Sequence, residues 1–291
     1  MTETAPRLDL LVLGELLEPT DRALEVLADI RTDMQTHGSS PLGLAGLFVL
    51  AISQAEIALV DSTLYILGRN PWRMNFAKLE IKRDDLLSTE LTRDLLEKHA
   101  EDLARSWAYG PGDQLVRQFL AVAGIDDTRL ASSADCLSPF RKRRNELLHQ
   151  GPHYSGWRGT RNWITGEELA TCLSNTEGFL TAVSGELRRR YEGYTRVAAL
   201  KRLWSYLFDS PIMDFDDFWH VDDGEDKVLA FKDNPLVDQL STSERILLGL
   251  WRAEFAGDPS LLREFSMKRL DADRRRDLVT LIAALREIWL Y

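Results

Sequence analysis

A chain of 291 residues, 44% of them hydrophobic, can bury roughly three quarters of the surface its unfolded form exposes, so a core can form without staples. Its two cysteines, Cys136 and Cys172, have no paired spacing, which excludes a disulfide framework and a zinc ribbon and points to a reducing, cytoplasmic setting; both read as small buried side chains. A formal net charge of -10 excludes a protein that coats nucleic acid nonspecifically, but not one with a local basic site.

Along the chain, residues 1–10 carry Glu3, Arg7 and Asp9 ahead of any apolar run, unlike a signal peptide. Thr20 and Asp21 predict an N-cap for a helix over 22–35, stopped at His37-Gly38. Pro41 opens an apolar helix to about Leu67, closed by Gly68 and Pro71. Residues 38–55 carry no charge and imitate a membrane span, but Pro41, Gly43 and Gly46 inside it, with Glu56 and Asp61 following, favour a central core helix. Ser88 and Thr89 start a helix to about Tyr109, stopped by Gly110-Pro111; a short helix to Gly124 and a turn over 130–136 follow.

Ser138 and Pro139 then start a compact helix that ends at Gln150-Gly151-Pro152. Residues 151–163 form a loop rich in Gly, Trp and Arg. Thr165 and Glu168 make a capping box for a long helix through Arg190 towards Phe208. Next comes an acidic connector with Phe215, Phe218, Trp219 and Phe231, in which 227–231 is the best candidate strand. A second capping box, Ser241 with Glu244, opens a helix to about Phe255, and further helices cover 260–269 and 273–291. The expectation is an all-α protein with an N-terminal helical extension (1–38), a helical bundle (39–208), an acidic connector (209–240) and a small C-terminal helical subdomain (241–291).

Basic residues cluster at 141–144, at Arg158 and Arg161, at 188–190 and at 274–276. The first cluster lies in Ser138-Pro139-Phe140-Arg141-Lys142-Arg143-Arg144-Asn145-Glu146-Leu147-Leu148-His149-Gln150-Gly151. An arginine with a histidine a few residues on is common in this chain, as Arg31 with His37 and Arg93 with His99 show. Neither of those pairs has the adjacent asparagine, the Ser-Pro start or the stop directly after the histidine. The segment resembles the signature helix of the HEPN superfamily, the higher eukaryote and prokaryote nucleotide-binding domains, through Arg144, Asn145 and His149. The order of parts over about 39–208 is also similar: a long apolar helix, a second helix, the short motif helix and a long final helix.

This resemblance implies an HEPN-like bundle and a metal-independent endoribonuclease that needs no cofactor. Such a protein cleaves RNA by 2'-hydroxyl attack at a site completed by a second copy of the chain. Arg144, Asn145 and His149 are the candidate catalytic residues. A histidine can take the 2'-hydroxyl proton or protonate the leaving 5'-oxygen, and an arginine can hold the phosphate as charge builds on it. Asn145 and His149 share a helix face, while Arg144 is offset from His149 by about 140°. Glu56 is the candidate partner that orients Arg144. Arg141, Lys142, Arg143, Arg158 and Arg161 are candidate RNA contacts, with Trp157 or Trp163 available to stack on a base.

The implied setting is a toxin or antiviral defence effector, with an antitoxin or defence-system protein as a further partner. A non-catalytic HEPN-like module that binds RNA or a protein is the alternative. His149 and His153 have zincin-like spacing, but Gly151-Pro152 breaks the helix between them and no third ligand is patterned, so no metal is expected. Trp204, Tyr206 and Phe208 read as core, and the helix bearing 274–276 as part of a dimerisation or lid unit rather than a DNA-reading element.

Overall fold

The structure, a computed structural model, describes residues 9–37, 40–70, 73–74, 89–110, 114–126, 130, 135, 137–150, 163–208, 213–232 and 234–256. Helix dominates these residues and the one sheet has two strands, so the protein is all-α in class. It forms two compact units: Leu13–Glu192, and residues 9–12 with the described residues from Gly193 onward.

The larger unit contains α1 (Leu13–His37), α2 (Pro41–Arg69), α3 (Thr89–Ala108), α4 (Gln114–Val122), α5 (Ser138–Gln150) and α6 (Gly166–Arg190). Ser40 caps α2, its hydroxyl accepting from the Gly43 N–H at 3.2 Å, and Pro41 occupies the first turn where its missing N–H costs nothing. By length and composition α2 could cross a membrane. Here α1, α3, α4, α5 and α6 all pack on it, and Phe48, Ile52, Leu59, Ile66 and Leu67 are buried. Thr63, buried in the same helix, donates to the Leu59 carbonyl at 2.7 Å.

The start of α1 differs from the cap expected at Thr20-Asp21. The helix begins at Leu13, runs through Pro19, and buries Thr20. Leu16, Leu17, Leu27 and Ile30 recur at helical spacing and are all buried, so packing outweighs both the cap preference and the proline cost. Glu15 receives Tyr65 Oη at 3.0 Å and Arg69 Nη2 at 3.1 Å, and Arg31 reaches Glu177 on α6 at 2.6 Å. α1 is therefore an integral helix of the bundle, not an extension to it.

A second difference concerns the long return helix. It ends at Arg190, and the chain restarts as α7 (Arg196–Leu207) after Gly193, whose φ of +76° suits glycine. Tyr191 turns its ring into the core, donates to the Ala123 carbonyl at 2.7 Å and accepts from Arg73 Nη1 at 3.1 Å. Thr195 then caps α7, accepting from the Ala198 N–H at 3.1 Å.

The smaller unit holds α7, α8 (Phe215–Phe218), β1 (Trp219–Asp222), β2 (Lys227–Phe231), a 3-10 turn at Pro235–Gln239 and α9 (Thr242–Ala256). β2 is the strand expected at 227–231; its antiparallel partner β1, with a register irregularity at His220/Val221, is not foreseen. The stretch read as a connector supplies Met213, Phe215, Phe218 and Trp219 to a core with Trp204, Phe208 and Trp251, so it is a folded part of this unit. Trp204 packs edge-on to Trp251 at 5.2 Å, and its Nε1 donates to the Met213 carbonyl at 2.7 Å. Tyr206, by contrast, is exposed. Ser241 and Glu244 cap α9 reciprocally.

Two polar contacts close this unit. Arg202 stacks over Tyr194 at 4.4 Å and donates to the Asp9 and Leu11 carbonyls, holding residues 9–12; burial lowers its pKa from the ordinary value, against the pull of Asp9. Asp226, at φ +52° in the β1–β2 turn, accepts from the Arg196 and Val197 N–H groups at 2.6 and 2.8 Å. Those donors have no partner within α7, so the hairpin caps the helix from outside. Asp226→Ala is expected to destabilise the protein by about 1–2 kcal/mol, while Asp226→Asn loses less. Urea titration followed by tryptophan fluorescence measures this, and equal midpoints for the three proteins would refute the cap.

Candidate active site on the short helix

Helix α5 starts at Ser138, the Arg141 N–H bonding the Leu137 carbonyl at 2.9 Å. Leu137 and Leu147 are buried, and Phe140 meets Phe48 of α2 edge-on at 6.1 Å. This packing directs Arg141 and Arg144 towards α2 and leaves Lys142, Asn145, Leu148 and His149 exposed.

Glu56, the only carboxylate in the first five turns of α2, stands between the two arginines. Arg144 grips it with both ends of the guanidinium, Nη1 to Oε2 at 2.5 Å and Nη2 to Oε1 at 3.0 Å, and its Nε donates to Asn145 Oδ1 at 3.0 Å. Arg141 Nε reaches the same Oε1 at 2.6 Å, and its Nη2 donates to the Ala108 carbonyl at 3.0 Å. That carbonyl ends α3 and would otherwise lack an intrahelical donor. The side chains of Arg141, Arg144 and Glu56 are 12%, 13% and 17% exposed, so the cluster is held rather than solvated.

An open concavity of about 470 Å³ lies over this cluster, bordered by Tyr109, Ser138, Lys142, Arg144, Asn145 and His149. All three candidate catalytic residues thus share one cleft, and Glu56 is where an Arg144 partner is expected. The candidate RNA contacts divide. Lys142 is exposed, and among the described residues it has no ion-pair partner. Arg141 is occupied by Glu56, and Arg143 by Glu146 and Glu168 at 3.7 and 3.5 Å. Arg158, Arg161, Trp157 and His153 lie outside the described residues; Trp163 is half-buried ahead of Thr165.

Tyr109, at the end of α3, is a member of the cleft that sequence reasoning passes over. A signal exists: Arg105 and Ser106, its i−4 and i−3 neighbours, are polar and exposed, so a tyrosine there sits on the wrong face for a core. Among the described residues no group of three or more His, Cys, Asp and Glu is placed to hold a metal ion.

Cys172 is no thiolate nucleophile. It is fully buried in α6, and that burial, with a smaller push from Glu168 against the Thr176 hydrogen bond, raises its pKa from 9.0 to about 12. Its folded pKa lies above the unfolded one, so the stability tied to this thiol is intact below about pH 9 and is lost as pH rises towards 12. The maximal slope is about 1.4 kcal/mol per pH unit. Cys172→Ala should show a shallower alkaline loss of stability than the natural protein between pH 9 and pH 11; parallel curves would contradict the shift.

No protein-family model matches the chain, and no curated protein or solved structure matches it.

Proposed function

We propose that this chain is an HEPN-like, metal-independent endoribonuclease that works as a homodimer. The observation that carries the reading is the shared cleft of Arg144, Asn145 and His149, with Arg144 fixed from behind by Glu56. His149 is exposed in the last turn of α5, where its imidazole can exchange a proton with RNA. Arg144 supplies positive charge at a position set before substrate arrives, which is what stabilising a developing phosphorane requires. Asn145 holds the Arg144 Nε.

Each chain offers one imidazole in this cleft, whereas transesterification uses a base at the 2'-oxygen and an acid at the 5'-oxygen. A second α5 across a two-fold axis supplies the other group. Leu148, 61% exposed beside His149, and Leu50 and Ile57, exposed on one side of α2, are apolar surface suited to that contact. A toxin or antiviral role in the cytoplasm, with an antitoxin or defence partner, follows from the family resemblance alone.

One observation favours a second reading, a non-catalytic module that binds RNA or protein. The Nε, Nη1 and Nη2 atoms of Arg144 are all engaged within the chain, as in a purely structural arginine. Cleavage of single-stranded RNA in EDTA separates the two. The nuclease reading expects 2',3'-cyclic phosphate ends and complete protection by one 2'-deoxy substitution at the cut site. Binding without cleavage, or cleavage of the deoxy-substituted strand, rejects it.

A further inference from the structure

Tyr109 is the exposed aromatic of this cleft. The residue is 90% exposed, although a tyrosine ordinarily buries much of its apolar surface. Its backbone is nevertheless fixed. The Tyr109 N–H continues α3 by bonding the Arg105 carbonyl at 3.0 Å, and the preceding carbonyl, that of Ala108, is held by Arg141. Arg141 in turn is bound to Glu56, the same carboxylate that positions Arg144. A single carboxylate therefore sets both the cation of the cleft and the point from which the aromatic ring projects.

The same cleft is lined by Lys142, Arg144, Asn145 and His149. Its volume, about 470 Å³, lies within the range typical of small-molecule sites, roughly 300–1,000 Å³. The cations Lys142 and Arg144 and an exposed flat ring in one cleft match the two parts of a nucleotide, phosphate and base. We propose that Tyr109 is a stacking platform for the unpaired nucleobase next to the phosphodiester held at Arg144 and His149. The ligand class is single-stranded RNA, because a paired base has both faces covered by its neighbours and cannot turn out onto the ring without breaking its stack. This rests on the nuclease reading for the identity of the polymer.

The test uses the full chain and a non-cleavable probe, a fully 2'-O-methylated single-stranded oligonucleotide with 2-aminopurine in its sequence, beside its duplex. Binding of the natural protein should quench the 2-aminopurine, and Tyr109→Ala should weaken single-strand binding by about 5- to 100-fold and abolish the quench. Tyr109→Phe should keep both, since the ring and not the hydroxyl is needed. The duplex should bind weakly and equally to all three. Because Tyr109 is exposed, unchanged circular dichroism is expected for each variant. Equal single-strand affinity in Tyr109→Ala would overturn the proposal, as would a change in sedimentation with binding intact, which would place Tyr109 in a protein contact. The probe cannot be cut, so quenching without any cleavage of natural RNA would remove the nuclease reading and leave the stacking site, while cleavage with equal affinities would do the reverse.

Discussion

Glu56→Ala is expected to destabilise the larger unit by about 3 kcal/mol and to cut RNA cleavage by at least 10²-fold. The carboxylate neutralises two guanidiniums that are 12% and 13% exposed, and its removal leaves both charges largely desolvated with their best acceptor gone. Loss of one member of a buried pair typically costs about 3–5 kcal/mol; the residual exposure of this cluster argues for the lower end. Glu56→Gln keeps an acceptor of the same shape without the charge and should fall between the two. Adding Arg141→Met to Glu56→Gln removes one uncompensated charge and should recover part of the stability, but not the cleavage, because Arg144 still lacks its partner. Urea titration and single-turnover cleavage of the same preparations measure both effects. Full recovery of cleavage in the double variant would show that Glu56 acts through stability alone.

Arg144→Ala is expected to lower cleavage by at least 10²-fold at a stability cost of only about 1–2 kcal/mol. The cost is smaller than for Glu56 because Arg141 still binds the carboxylate when Arg144 is gone. Arg144→Lys keeps the charge but has no planar fork to bridge both oxygens of Glu56 and reach Asn145 at once, so it should recover little activity. An Arg144→Lys protein cleaving at the natural rate would reduce the arginine to a point charge and remove the positional argument.

The short helix was legible in advance because its ends carry strong signals, Ser138-Pro139 before it and Gly151-Pro152 after it. Glu56 stood out as the first carboxylate after a long uncharged run in an apolar helix. That two arginines share it was not legible, since the register between α2 and α5 is set by packing, Phe140 on Phe48 and Leu137 and Leu147 inward. The same limit explains why four consecutive cations looked like RNA contacts when only Lys142 is left without an ion pair among the described residues. A run of charge does not show which members an interior carboxylate will claim. The break between α6 and α7 was written in Gly193 and Thr195, but helical periodicity on both sides of it masked the signal. β1 was missed because Trp219 and Val221 alternate for only four residues within an acidic stretch, too short a pattern to separate from a loop.

The most direct test of the account is the cleavage of single-stranded RNA in EDTA by the natural protein and by His149→Ala, purified identically. His149 is exposed, so the substitution should leave helicity and urea midpoint unchanged, and any loss of activity reports on chemistry. The account predicts products with 2',3'-cyclic phosphate ends from the natural protein and a rate at least 10²-fold lower for His149→Ala. Equal rates for the two proteins, or no cleavage by the natural one, would contradict it.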